Sequence, residues 1–355
     1  MPAMPIDLTD QKVFVLGAGV SGLAAARLLR HIGAIPIVVE DEDAARAKAS
    51  DIADSVLTMA EAEDALSEAA LVVTSPGIPP HHPFFTATTA ANVPVWGDVE
   101  LCWHVDKASL CGPSRVWLAV TGTNGKTTTV GMTTAICQQA GMSAVACGNI
   151  GYPIEEALLD PNHPDVLVCE LSSFQLHWAP SVKPLAGALL NIDEDHLDWH
   201  GSVEAYAADK TRVLNGLYAI VGLDDPRAAA AGDECSAQFV IGFRAGEPVR
   251  GQIGVHENGL FDNAFGPNDA ARFLIECADI HPAGPAGVLD AGAAAALAMA
   301  AGAMPQDVND ALKDFVVAPH RNAVVTTIDG ITYVDDSKAT NPHAARSSCL
   351  LYTSD

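Results

Sequence analysis

Positive charge is scarce in this chain. Its 355 residues carry 19 Lys plus Arg against 44 Asp plus Glu, a formal net charge of −25. Such a field repels phosphate backbones and anionic headgroups, which argues against a nucleic-acid partner. Any phosphate site must then be local, built from backbone N–H groups and a few lysines. Long apolar runs are missing too. The longest uncharged small-residue stretch, Ala291–Met304, is too short to span a bilayer, so no membrane insertion is expected. The opening Met1-Pro2-Ala3-Met4-Pro5 has no basic segment followed by an apolar run, so no signal peptide is expected. No Cys-x-x-Cys pair occurs among the eight cysteines, which read as reduced thiols of a cytoplasmic protein, not a zinc site or a disulfide framework. Charged residues make up only 18% against 49% hydrophobic, which excludes disorder and supplies core for two or three domains.

The first hundred residues alternate between strand and helix. Lys12–Leu16 and Ile35–Glu40 read as strands, Val20–His31 as a helix, and Leu71–Thr74 as a strand stopped by Ser75-Pro76-Gly77. This βαβ order predicts a parallel sheet. Asp106–Arg115 reads as a linker. A second α/β unit opens with a strand at Val116–Val120 and a helix from Lys126 to about Ala140. Further strands are expected at Val166–Glu170, Leu185–Asn191, Tyr218–Gly222 and Gln238–Ile241, with short antiparallel strands within 245–280. Helices are expected at Ala291–Ala303 and Pro305–Phe315. After an interdomain loop at Pro319–Asn322 come a hairpin around Asp329-Gly330 and the start of a helix near Pro342.

Three motifs carry chemistry. Strand Val116–Val120 runs into Thr121-Gly122-Thr123-Asn124-Gly125-Lys126-Thr127-Thr128. Glycines let N–H groups point at a polyphosphate, and the helix N-terminus adds partial positive charge. Lys126 can reach the outer phosphates and the Thr127 hydroxyl can ligate Mg²⁺. The full pattern wants a glycine where Val120 stands, so this is a variant phosphate loop. Gly17-Ala18-Gly19-Val20-Ser21-Gly22, with Glu40 closing the next strand, fits a loop that holds a diphosphate at a helix N-terminus, Glu40 or Asp41 bonding beyond it. Two phosphate loops suggest one nucleotide as energy source and another as part of a substrate. The third cluster is acidic: Glu170 ends a strand, a natural place for a Mg²⁺ ligand, and Asn191–Gly201 packs carboxylates around His196 and His200. That loop also reads as a solvated turn, Lys210 as an ordinary exposed helix lysine, and Asp335–Asn341 as a polar turn.

Together these segments resemble the Mur ligases, ATP-dependent amide-forming enzymes of peptidoglycan synthesis. The resemblance rests on Thr121–Thr128, Glu170–Leu176, Asp195-His196-Leu197-Asp198 with Gly201 and Lys210, His320-Arg321, and Asp336–Asn341, and runs from about residue 10 to 345. Ser75-Pro76-Gly77-Ile78, Gly97-Asp98-Val99-Glu100 and Leu171–Leu176 look like the D-glutamate-adding branch. It implies an N-terminal Rossmann-like domain (1–108) for the UDP-substrate, a central P-loop ATPase-like α/β domain (109–317), and the start of a third Rossmann-like domain (318–355). In such enzymes the carboxylate of UDP-N-acetylmuramoyl-L-alanine attacks the ATP γ-phosphate, and the D-glutamate amine then attacks the acyl phosphate. By resemblance, Gly122, Thr123, Asn124, Gly125, Lys126, Thr127, Thr128, Arg321, Asp336 and Lys338 bind ATP. Thr127, Glu170, His196 and Lys210 hold Mg²⁺, two ions being expected, with Lys210 carbamylated. Lys126, His196 and Lys210 are the expected catalytic groups. Gly17, Gly19, Val20, Ser21, Gly22, Glu40, Asp41, Ser75, Gly77, Asn149, Ser172, His196, Lys338 and Thr340 face the substrates. A cytoplasmic monomer serving cell-wall biogenesis, cell shape and cell division is implied.

The family's adenine-contacting segment usually reads Gly-x-His-Asn-x-x-Asn-Ala, where this chain has Gly284-Pro285-Ala286-Gly287-Val288-Leu289-Asp290-Ala291. The pattern also stops after Arg346, so a third domain cut short, with a foreign tail at 347–355 and weakened turnover, is expected. Other readings are another amide ligase such as a folylpolyglutamate synthase, a non-catalytic nucleotide-binding fragment, and an NAD-dependent oxidoreductase using Gly17–Gly22.

Overall fold

The computed structural model describes residues 7–266, 270–320 and 323–339. They form a mixed α/β protein with two compact units. The first comprises residues 1–116, 147–182 and 196–212, the second residues 117–146, 183–195 and 213–355.

The first unit is built on a five-stranded parallel sheet, in the order Ser55–Leu57, Ile35–Val39, Lys12–Leu16, Leu71–Thr74, Val95–Gly97. Its strands are runs of Val, Ile and Leu buried on both faces, as a parallel sheet flanked by helices requires. Helix Val20–His31 buries an Ala/Leu face, and Phe14, Leu66, Phe84 and Phe85 pack a core on which Trp178 lies. The strand expected to reach Glu40 ends at Val39, and the Glu40 side chain accepts hydrogen bonds from nearby loop amides.

Asp106–Arg115 is not a loose linker. Asp106 and Lys107 close helix Asp98–Lys107, and Asp106 is fully buried against Arg115, Nη1 to Oδ1 3.1 Å. Arg115 also donates to the carbonyls of Cys111 and Leu158. Composition marked the segment as polar, but the ion pair ties it down.

The second unit carries strands in the order Arg272–Glu276, Gly259–Asp262, Gln252–His256, Phe239–Phe243, Tyr218–Gly222, Ala186–Leu189, Val116–Thr121. The first three pair antiparallel, confirming the short strands expected within 245–280, and the rest are parallel. Helix Lys126–Gln139 packs against the Ala-rich helix Pro285–Ala300. The latter starts six residues earlier than the alanine run suggested, with proline in its first turn, and Gly302 at φ 111° follows its end. Helix Pro305–Lys313 follows, then an antiparallel hairpin, Ala323–Ile328 with Ile331–Asp335. The helix expected near Pro342, the tail at 347–355, Arg321 and Thr340 lie outside the described residues. No helix among the described residues is long and apolar enough to cross a membrane.

Candidate functional site

The glycine loop of the first unit has the geometry its motif requires. Gly17 sits at φ +92°, a conformation that favours glycine. A Cβ on Gly22 would lie 2.0 Å from the Gly17 carbonyl oxygen, so only glycine lets the helix meet the strand this closely, whereas Gly19 faces open space. No side chain caps the helix that begins at Val20, so its first N–H groups suit a diphosphate. Glu40 accepts from Ala18 N at 3.0 Å, Asp41 N at 2.9 Å and Glu42 N at 3.0 Å. Partial burial pushes its carboxyl up, but these N–H groups outweigh that and hold it below the usual range. Its oxygens therefore shape the loop. Asp41 accepts from Met59 N, Ser75 Oγ donates to Leu16 O at 2.5 Å, and Gly77 faces open space.

Glu170, 3% exposed, ends the buried strand Val166–Glu170. Asn149 donates to it twice, Nδ2 to Oε1 at 3.0 Å and N to the carbonyl at 2.8 Å. Gly148 allows this approach, since a Cβ there would lie 2.3 Å from Glu170 O. Ser172 caps helix Ser173–His177 through a reciprocal pair with Gln175, whose Nε2 donates to Asp98 Oδ2 at 3.4 Å. Asp98 and Glu155, with Ser21, Gly148 and Gln175, line a small cavity. Burial raises both carboxyls above the usual range, and Glu155 Oε1 has no hydrogen-bond partner in the structure.

His196, at φ 52°, opens the short helix Leu197–His200, and its ring lies 4.8 Å from that of Phe174. Of the acidic loop, Glu194 and Asp198 are exposed while Trp199 is buried. Lys210 is not an exposed helix lysine: it is 2% exposed, with Nζ 4.7 Å from the Tyr206 ring centre. Its neighbour Asp209 meets His177 and His200. That network left no trace in the spacing of the sequence, because its members come from three separate helices.

The second unit holds the turn at Thr121–Thr128. Gly125, at φ +85°, immediately precedes helix Lys126–Gln139. Lys126 Nζ donates to the carbonyls of Gly122 and Thr123, both at 2.9 Å, and so lies over the turn. Asn191 braces the loop with both ends of its amide: Oδ1 accepts from Asn124 N at 2.9 Å, and Nδ2 donates to Asn124 O at 3.2 Å. Thr123 Oγ1 accepts from Asp193 N at 2.9 Å. Thr127 is partly exposed and Thr128 buried. Asp290, in the segment that departs from the family pattern, accepts from Thr129 Oγ1 at 3.3 Å and crowds Gly125. Gly287 has its own reason to be glycine, since a Cβ there would lie 1.8 Å from Pro282 O.

Near the hairpin, His320 Nδ1 meets Asp335 Oδ2 at 2.6 Å and Lys338 N donates to His320 O. The Lys338 side chain is exposed, and Asp336 accepts from Ala339 N.

Among the described residues no three or more His, Cys, Asp and Glu side chains are grouped to hold a metal. Donor types that suit Mg²⁺ stand in each unit: a carboxylate at Glu170 in the first and a hydroxyl at Thr127 in the second. CO₂ added to the Lys210 amine would give it carboxylate oxygens that an ammonium lacks.

Residues 120–265 match the Mur ligase middle domain, and residues 11–97 the MurD-like Mur ligase N-terminal domain. A UDP-N-acetylmuramoylalanine–D-glutamate ligase from Nocardia farcinica is 52% identical over 346 residues, covering 97% of this chain and 72% of that protein. One of the same name from Mycolicibacterium vanbaalenii is 52% identical over 336 residues, covering 95% and 68%. Among solved structures, a UDP-N-acetylmuramate–alanine ligase from Thermotoga maritima aligns with a TM-score of 0.54 at 19% identity, covering 95% of this chain and 76% of that one. A UDP-N-acetylmuramoylalanyl-D-glutamyl-2,6-diaminopimelate–D-alanyl-D-alanyl ligase from Acinetobacter baumannii aligns with a TM-score of 0.56 at 18% identity, covering 98% and 72%. These structures share the fold. With both matched domains and half-identical relatives spanned over more than two thirds of their length, the chain belongs to the Mur ligase family.

Proposed function

We propose that this chain is an ATP-dependent ligase that joins D-glutamate to UDP-N-acetylmuramoyl-L-alanine, a step of peptidoglycan precursor synthesis. The observation that carries the reading is the strand–turn–helix at 116–139. There Gly125 in left-handed conformation and Lys126 over the turn form a phosphate cradle. The relatives' names supply the substrates. Both substrates and ATP are anionic, so the protein must offset their mutual repulsion. Lys126 and the N–H groups of Gly122–Thr128 hold the ATP phosphates, and Arg321, Asp336 and Lys338 complete that site.

Gly17, Gly19, Val20, Ser21, Gly22, Glu40, Asp41, Ser75 and Gly77 hold the uridine diphosphate, and Asn149, Ser172 and His196 the muramoyl-alanine end. Lys338 and Thr340 face D-glutamate. Thr127, Glu170, His196 and a carbamylated Lys210 would hold the two Mg²⁺ ions, which would supply charge neutralisation. The substrate carboxylate oxygen bonds to the γ-phosphorus as ADP leaves. The D-glutamate amine then attacks the acyl carbon, phosphate leaves, and the amine gives up a proton. Domains 1–108, 109–317 and 318–355 divide the work between UDP-substrate, ATP and amino acid in a cytoplasmic monomer.

The test is phosphate release from ATP with UDP-N-acetylmuramoyl-L-alanine, Mg²⁺ and bicarbonate, with and without D-glutamate. Release that requires D-glutamate, and no other amino acid of a panel, is expected. Release driven by a different amino acid would overturn the substrate assignment.

A further inference from the structure

Five side chains of the first unit, of which those of Ser173, His200 and Asp209 are buried, have no part in the chemistry above. His200 Nδ1 meets Asp209 Oδ2 at 3.0 Å, and His200 Nε2 meets Ser173 Oγ at 2.9 Å. His177 Nδ1 reaches the same Asp209 oxygen at 2.9 Å, and Arg212 Nη2 lies 3.2 Å from the other. The His200 side chain is 1% exposed and that of Asp209 6%. A carboxylate only accepts, so His200 donates from Nδ1 to Asp209, while its Nε2 shares a hydrogen bond with the Ser173 hydroxyl. The order Ser–His–Asp matches that of a nucleophile relay. Ser173, however, is 2% exposed and has no route to a substrate. The relay here is a brace.

What it braces is specific. Ser173 and His177 belong to helix Ser173–His177, His200 to Leu197–His200, and Asp209 to Val203–Thr211. His196 opens the second of these helices, and Lys210 follows Asp209 on the third. The rings close the same three helices together. Phe174 stacks on His200 at 5.5 Å and touches His196 at 4.8 Å, while Tyr206 lies 5.3 Å from His200 and beneath Lys210. The carboxylate that anchors His200 therefore sits one residue from the amine that ring packing holds in place.

We propose that His200 and Asp209 are positioning residues: bonded to each other and to Ser173 and His177, they fix the turn bearing His196 and the helix bearing Lys210 in one arrangement, and so set the geometry of the group that faces the metal. This rests on the roles given to His196 and Lys210 under the proposed function. Groups hydrogen-bonded directly to metal ligands typically change metal affinity about 10–100-fold when removed, and His200 and Asp209, which act through Phe174 and the position of their helices, belong at the lower end of that range.

The test compares His200→Gln and Ser173→Ala with the parent chain. Mn²⁺ binding by calorimetry, the Lys210 carbamate by NMR after ¹³C-bicarbonate labelling, and the melting temperature are all read without turnover. His200→Gln should weaken Mn²⁺ at least about 10-fold and reduce the carbamate signal. Ser173→Ala, which removes one hydroxyl and leaves the His200–Asp209 bond, should give a smaller loss of both while melting near the parent. It keeps the comparison alive if His200→Gln does not fold. Lys210→Ala is the control that identifies the carbamate signal. A parent chain with no Lys210-dependent signal would overturn the roles of His196 and Lys210, and this inference with them. A parent signal and Mn²⁺ affinity that survive unchanged in the folded variants would overturn the inference alone.

Discussion

Replacing Gly125 with alanine should disable the phosphate turn for two separable reasons. The residue sits at φ +85°, where an L side chain costs about 1–2 kcal/mol. Its new Cβ would also lie 2.3 Å from Asp290 Oδ1 and 3.1 Å from Leu190 Cδ1, and overpacking of this kind costs about 1–3 kcal/mol. Together the two amount to about 2–5 kcal/mol, roughly 30- to 4,000-fold in nucleotide affinity if the loop must hold its shape to bind. The parts separate in a double-mutant cycle with Asp290→Ala. That change alone removes the hydrogen bond from Thr129, worth about 0.5–1.5 kcal/mol. In the Gly125→Ala background it should instead recover part of the loss by removing the nearest oxygen. Calorimetric titration of the four chains with a non-hydrolysable ATP analogue reads both effects. Gly125→Ala binding as tightly as the parent would refute the cradle. A double mutant no tighter than Gly125→Ala would refute the clash.

Gly22→Ala should lower the denaturation midpoint by the equivalent of about 1–3 kcal/mol while Gly19→Ala leaves it unchanged, because only the first meets a carbonyl oxygen at 2.0 Å. Arg115→Met should destabilise by about 1–3 kcal/mol, since buried Asp106 loses its guanidinium but keeps Lys107 at 3.2 Å and Ser114 at 3.1 Å, and pairing it with Asp106→Leu should recover part of that in urea unfolding. The Glu155 carboxyl is raised by burial and by the Asp98 charge, so the folded state holds its proton more tightly than the unfolded chain does. The stability this contributes is fully present below the ordinary value of 4.5 and is lost as pH rises through the folded value. Glu155→Gln should therefore melt increasingly above the parent as pH rises from 5 towards 9. A pH-independent difference would count against a buried, protonated Glu155.

The backbone paths of the two glycine turns were legible because their signals are local: glycines and a helix start within eight residues fix a path whatever surrounds it. The same holds for Glu170, which a run of buried β-formers delivers to a strand end. Lys210 was not legible. Its helix shows no clear apolar stripe, and its burial beside Tyr206 appears only in the fold. Asn191 was seen as part of an acidic loop, yet its amide braces Asn124, 67 residues away. Asp98 stood out as a motif residue, but its bond to Gln175 needed the fold to bring α-helical segments 77 residues apart together. Asp106 misled, because polar composition marks a linker and a buried ion pair looks the same in sequence.

The first compact unit draws on three separate stretches, the last ending at residue 212. During synthesis, then, the glycine-loop sheet can emerge and pair long before its unit is whole. Asn149, Glu170 and Lys210 arrive only as later stretches are translated, interleaved with strands that belong elsewhere. Residues up to 212 must leave the ribosome before these side chains of the first unit can stand together, so pausing codons or chaperone capture between residues 116 and 212 would govern yield more than the same events upstream.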